Sequence, residues 1–246
     1  MKSVTYDLHV HSCLSPCGDA EMTPNNIAGL AMLNGVKVVA LTDHNSSKNC
    51  PAFFEACRRY GVIPIAGMEL TTAEDIHMVC LFPTLEAAME FDSFIDSHRM
   101  KVANRPDIFG EQLILNGDDE VIGREDNLLI VATDLDITTA ARIVRERGGA
   151  AYPAHIDKQA NSLIETLGDF PSEPGFSAAE FRDISKLHAM RKIYPILEGL
   201  IAVADSDAHF LEGMSINPSV FPFAFENDDE NTVRCGIIAA LRGEIG

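Results

Sequence analysis

Apolar residues along the chain fall in short dense runs separated by polar, glycine or proline joints, and the runs alternate between two periods. VTYDLHVHS has the alternation of a strand, and TPNNIAGLAMLNG after it has helical spacing. Thr23 stands where an N-cap belongs, Pro24 at the first helical position and Gly35 just past the end. VKVVALTDH is nearly all apolar, as a strand covered on both faces should be. NCPAFFEACRRYG predicts a second helix, VIPIAGMEL a third strand, and IHMVCLFP a fourth after a short turn. This βα rhythm belongs to a barrel or a doubly wound sheet.

Between residues 84 and 146 the rhythm breaks. TLEAAMEFDSFIDSHRM has helical periodicity, NRPDIFGEQLILNGDDEVIGRED predicts a short hairpin turning at NGDD, and DITTAARIVRERG restores a helix before the strand AAYPAH. The expected organisation is a main unit of residues 1–83 and 147–246 with a small α+β insertion at 84–146. Lying between His77 and His155, that insertion is expected beside the functional face, where it could cover a substrate. The acidic NDDEN near the C-terminus reads as a solvated turn leading into the helix NTVRCGIIAALRG.

The candidate chemistry sits at the ends of these strands. Six of the eight histidines fall in DLHVHS, LTDHN, the IHMVCLF strand behind GMEL, and the later AYPAHID and ADSDAH segments. His98 and His188 fall outside and read as surface residues. Residues two apart in a strand face one way, so His9 and His11 would present two imidazoles to one cation, and Asp207 with His209 would repeat the device. One such pair is weak evidence, but nothing in packing requires a second at the far end of the chain. Imidazole mixed with carboxylate suits zinc, manganese or iron, whereas an all-oxygen set would suit calcium or magnesium.

DLHVHS, LTDHN, the Glu69 strand and DSDAH, in this order, resemble the polymerase and histidinol phosphatase (PHP) family of metal-dependent phosphoesterases. The resemblance implies a distorted seven-stranded β/α barrel with up to three divalent metals at the C-terminal ends of its strands. Carried over to these positions, it makes His9, His11, Glu69 and Asp207 ligands of one metal. Glu69 would bridge to a second held by His77 and His155, and Asp19, His44 and His209 would hold a third. Two to three manganese, zinc or iron ions are therefore expected, with a metal-bound hydroxide as nucleophile on a small phosphomonoester. Asp43, beside His44, is the candidate catalytic residue, either orienting a ligand or donating a proton. Asp7 and Asp205 are weaker candidates. Lys158, Arg105 and Arg191 are candidates for gripping the substrate phosphate.

Charge refines the partner. With 19 basic against 37 acidic residues and a formal net charge of -18, the chain is expected not to take long nucleic acid, whose affinity comes from Lys and Arg on phosphates. A locally positive site remains possible, because divalent cations would outweigh the carboxylates of Asp19, Glu69 and Asp207. The partner is then a small phosphorylated molecule: a nucleotide, a nucleoside bisphosphate or a phosphorylated metabolite. No apolar run reaches membrane-spanning length and no secretory leader precedes the first strand, so a cytoplasmic enzyme away from membranes is expected. The six cysteines form no C-x-x-C pair, and Cys13 and Cys17, close to the candidate ligands, read as small buried thiols. Three alternatives stand beside the phosphoesterase: an amidohydrolase acting on C–N bonds, a histidinol-phosphate phosphatase, and a regulatory module that keeps metal without turnover. The set with Asp19, Glu69 and Asp-x-His fits the phosphoesterase better than the amidohydrolase, and no candidate for a bridging carboxylated lysine is evident.

Overall fold

The computed structural model describes residues 2–214, 218–227 and 229–245. The first half runs β1 (Thr5–Val10), α1 (Pro24–Leu33), β2 (Val38–Leu41), α2 (Cys50–Tyr60), β3 (Ile63–Thr71), β4 (His77–Phe82) and α3 (Leu85–His98). Next come α4 (Pro106–Phe109), β5 (Leu113–Leu115), β6 (Val121–Arg124), α5 (Ile137–Glu146), β7 (Ala150–Pro153) and α6 (Leu163–Leu167). The chain closes with β8 (Ala178–Glu180), α7 (Leu187–Ile193), β9 (Ile201–Val203), β10 (Ser219–Val220) and α8 (Glu230–Leu241). The caps are as expected for α1: the Thr23 side chain accepts from Asn26 N at 3.3 Å, and Gly35 takes φ +72°. In the acidic segment before α8, Asp228 lies outside the described residues, and Asp229 caps the helix by accepting from Thr232 N.

The fold is a distorted β/α barrel. A curled sheet runs β10-β1-β2-β3-β4-β7, and the parallel pair β8-β9 carries the curve onward. Ile156 N donates to Glu180 O between β7 and β8, and His11 N donates to Ala208 O between β1 and the segment after β9. The second seam is fastened by side chains where a ladder would be. Asp205 Oδ1 accepts from Leu8 N at 2.6 Å, and Asp7 Oδ1 accepts from Ser206 N at 3.0 Å. These carboxylates satisfy backbone donors that a missing strand leaves unpaired.

β4 runs antiparallel to β3 and to β7. Its link from β3 is only Thr72 to Ile76, too short for the crossover that parallel strands need. The reversal has a consequence for the site, since His77 opens β4 at the barrel end where the other strands finish.

Apolar residues divide between two faces. Tyr6, Leu8, Val38, Ala40, Ile63, Ile65, Val79, Leu81 and Tyr152 pack inside the barrel with α8 beneath them, while Val39, Leu41, Met68, Met78 and Phe82 pack outward with the helices. Ala88, Phe91 and Ile95 of α3 and Ala140, Ala141 and Val144 of α5 join that outer core. Their amphipathic faces are buried on the sheet, so these two helices belong to the barrel's outer layer, and the stretch that departs from it is narrower than 84–146.

That stretch carries the β5-β6 hairpin, which is antiparallel as expected. It lies against the loop after β2. Asn49 Nδ2 donates to Leu113 O at 3.0 Å and Leu115 N donates to Asn49 Oδ1 at 2.9 Å, while Lys48 pairs with Glu125.

Candidate metal centre

β1 delivers its histidines through a bulge. Asp7 pairs with Val39 and Val10 with Leu41, so one extra residue sits in β1 between those pairs. The parity flips there: Tyr6 and Leu8 face the interior, whereas Val10 packs outward. His9 and His11, on either side of Val10, are both fully buried with their Nε2 atoms 3.1 Å apart.

Glu69 is the hub of the cluster. Its Oε2 stands 3.3 Å from His9 Nε2, 3.1 Å from His11 Nε2 and 3.1 Å from His44 Nδ1. Its Oε1 stands 2.8 Å from His77 Nδ1 and 3.3 Å from His155 Nε2. Asp207 Oδ1 completes the first group at 3.5 Å from both His9 and His11. Three sets have the compactness a cation needs: His9, His11, Glu69 and Asp207; His44, Glu69 and His77; and His11, His44 and His209. Burial works against the Glu69 anion, but His77, His9 and His44 around it hold its carboxyl well below the usual carboxylate range.

The residues behind the histidines fix their tautomers. Glu180 Oε2 lies 2.8 Å from His9 Nδ1, which must donate to it. Ser15 Oγ donates to Asp43 Oδ1 at 2.7 Å and so accepts from His11 Nδ1 at 2.9 Å and from His44 N at 3.1 Å. Each ring, when neutral, turns a bare Nε2 lone pair into the cluster. Buried Glu69 Oε2 and His44 Nδ1 have no hydrogen-bond partner among the described residues. With the rings neutral, convergent lone pairs of nitrogen and oxygen fit a divalent cation of the zinc, manganese or iron type.

Several expectations need correction. Asp19 is exposed, and its Oδ1 accepts from Glu21 N at 2.8 Å; it does not join His44 and His209, and His11 completes that set. Asp207 and His209 do not lie in a strand: Asp207 has φ +50°, and the turn, rather than strand alternation, aims it. Asp43 is not positioned to donate a proton to substrate. Its oxygens accept from Ser12 N at 2.7 Å, Ser12 Oγ at 2.6 Å and Ser15 Oγ at 2.7 Å, so it acts on His11 through Ser15. Arg105 pairs with Asp107 on an exposed helix, and Arg191 donates to Leu197 O and Leu200 O; neither lines the cavity. Cys13 is buried as expected, but Cys17 is exposed.

Lys158 is at the site. It lines a 420 Å³ cavity with His44, Glu69, His77, His155, Asp207 and His209, and its Nζ lies 2.6 Å from Asp207 Oδ2. No residue of 84–146 lines that cavity, so the hairpin braces the site without covering it. The brace includes Asn45, whose Nδ2 donates to Leu129 O at 2.6 Å and Val131 O at 3.0 Å while its Oδ1 accepts from Thr71 N at 2.9 Å. Glu180 escaped the sequence reading, although a lone carboxylate in the apolar run AAEF was a usable sign.

A family model for the PHP domain matches residues 7–167. The chain belongs to the PHP domain family. Members of this family are metal-dependent hydrolases. The chain is 38% identical over 74 residues to the error-prone DNA polymerase of Symbiobacterium thermophilum, a match covering 30% of this chain and 7% of the polymerase. In structure it is similar to the lesion-specific endonuclease PfuEndoQ of Pyrococcus furiosus, with a TM-score of 0.63 and 20% identity over 99% of this chain and 57% of that one. A Bifidobacterium adolescentis chain assigned as a metal-dependent phosphoesterase gives a TM-score of 0.57 and 17% identity over 95% of each chain. At these identities the likeness speaks for the fold, and the PHP chain spans little more than half of the endonuclease.

One comparison overturns an expectation. Endonuclease Q, similar with a TM-score of 0.60 and 19% identity over 99% of this chain and 57% of that one, has been captured with a 27-mer duplex whose abasic lesion lies at the active site. The exclusion of long nucleic acid therefore does not stand. Net charge sums over the whole surface, whereas phosphate contacts depend on the local field where the strand lies. Among the described residues, no helix is long and apolar enough to cross a membrane.

Proposed function

We propose that this PHP chain hydrolyses phosphomonoesters of small molecules, such as a nucleotide, a nucleoside bisphosphate or a phosphorylated metabolite. The observation that carries this reading is the 420 Å³ cavity over the cluster, a size suited to a small ligand, with Lys158 in its wall. His9, His11, Glu69 and Asp207 would hold one ion, Glu69 with His77 and His155 a second, and His44 and His209 would contribute to a third. That makes two to three ions of manganese, zinc or iron. When bound, they supply Lewis acidity that activates water and neutralises charge on phosphoryl oxygens. We take the stretch between α3 and α5 as an insertion whose task is to hold the His44 loop.

The chain's own residues supply position and charge. Glu180 and Ser15 hold the Nδ1 protons of His9 and His11, leaving both Nε2 atoms facing inward. The Lys158 ammonium, 41% exposed at its side chain, can turn from Asp207 to a phosphoryl oxygen as a mobile point charge. Burial of Glu69 and the histidines beneath keeps bulk water from the floor and strengthens every charge contact there.

A second reading, cleavage of a phosphodiester in DNA, is supported by the likeness to Endonuclease Q. Purified protein supplied with manganese, zinc or iron should be assayed for phosphate release from a panel of phosphorylated metabolites and for nicking of a duplex with an abasic site. Phosphate release from monoesters supports the first reading. Nicking of the duplex with no monoester turnover under any metal replaces it with the second.

A further inference from the structure

A second cavity of 490 Å³ adjoins the first and shares Lys158, Asp207 and His209 with it. Arg182 lines this second space, and its guanidinium makes no hydrogen bond or ion pair among the described residues. In a chain with 37 acidic residues, a free guanidinium beside a buried carboxylate cluster is a site of positive potential that the protein leaves unneutralised.

The backbone around Arg182 is fixed. Asp157 Oδ1 accepts from Arg182 N at 2.7 Å, and Asp157 Oδ2 accepts from Asp183 N at 3.1 Å and from Lys186 Nζ at 2.9 Å. Asp157 immediately precedes Lys158, so one carboxylate ties the loop of Arg182 to the loop of Lys158. Arg182 also stands two residues beyond Glu180, which β8 anchors against His9. The strand end that props the floor of the cluster thus carries a cation to its edge. Because a guanidinium presents paired donors in a rigid fork, its preferred partner is a carboxylate or a phosphate.

We propose that the substrate carries a second anionic group, a carboxylate or another phosphate, and that Arg182 holds it in this adjoining cavity while Lys158 faces the scissile phosphate. The inference rests on the phosphoester reading of the first cavity. It narrows the substrate class to phosphate esters with a further anion on the leaving-group side.

The test is calorimetric binding to metal-loaded protein, with no turnover required. Methylphosphonate offers one anionic group, and 3-phosphonopropionate offers the same group with a carboxylate. Wild type should bind 3-phosphonopropionate about tenfold more tightly or better, as expected for one added charge-assisted contact. Arg182→Ala should erase that advantage and leave the methylphosphonate affinity unchanged, which also reports an intact fold. Arg182→Lys should retain part of the advantage. Equal affinities in wild type, or an advantage that survives in Arg182→Ala, overturn the inference and leave the phosphoester reading in place. Binding of neither phosphonate overturns that reading and the inference together.

Discussion

His9 and His11, on the floor of the cluster, are fully buried, and each has its Nδ1 fixed from behind, by Glu180 and by Ser15. At the rim, the side chains of His77 and His209 are 15% and 21% exposed, and that of Lys158 is 41% exposed. The two regions also differ in proton affinity. Burial works against a charged His11, but the neighbouring carboxylates of Asp207 and Glu69 outweigh it and raise the pKa to about 8. For His209, burial and the neighbouring His11 win, and the pKa falls to about 4. The difference teaches that floor and rim are prepared for different partners. On the floor His11 holds a proton that a cation must displace, whereas at the rim His209 has none to lose near neutral pH.

The sharpest way to break this contrast is Glu69→Gln, which keeps the shape of the hub and removes the charge that both regions share. Metal content by elemental analysis and turnover should fall together by more than about a hundredfold, beyond the effect usual for residues that only orient ligands. A fully metallated, active variant would refute the hub role. Glu180→Gln acts on the floor alone and should weaken metal retention against a competing chelator by about 10- to 100-fold. Unchanged retention would mean that His9 needs no charged support.

The pH dependence of metal loading sharpens the same comparison at smaller scale. Below about pH 8 His11 carries a proton that a cation must displace. Metal affinity should therefore rise by at least about tenfold per pH unit from pH 6.5 to 8 and less steeply above, while His209 releases none in that range. His9, also raised well above its ordinary value because Glu180, Glu69 and Asp207 overcome its burial, should steepen the slope. A flat titration across that window would show that the floor is already deprotonated. The smallest expected effect is at the rim. Lys158→Ala should leave metal content intact and raise KM severalfold with little change in kcat if it binds ground and transition states alike. A fall in kcat at unchanged KM would assign it to the transition state instead.

Much of this site was legible in linear order because metal chemistry restricts residue types. His9, His11, His44, Glu69, His77, His155, Asp207 and His209 stand out as imidazoles and carboxylates at the ends of apolar runs, and the structure gathers all of them around Glu69, directly or through His11 and Asp207. Asp19 carried the same chemistry in the same stretch, yet its local turn directs the carboxylate to Glu21 N. Arg105 and Arg191 illustrate the opposite error, since a basic residue near a motif in sequence has no obligation to face it. β8 and β9 went unread because three-residue strands leave too little periodicity to detect.

By itself the sequence determined which residues could bind a cation and which segments would be strands or helices, because donor chemistry and apolar period are local properties. Tertiary structure decided which donors meet. The β1 bulge turns His9 and His11 inward, the short β3–β4 link brings His77 to the same end as the other donors, and the positive φ of Asp207 aims its carboxylate at both imidazoles. It also decided what stands behind them, as when Glu180 crosses 171 positions of chain to fix His9. Such contacts depend on strand order, register and the closing of the barrel, and those are settled only when the whole apolar core packs at once.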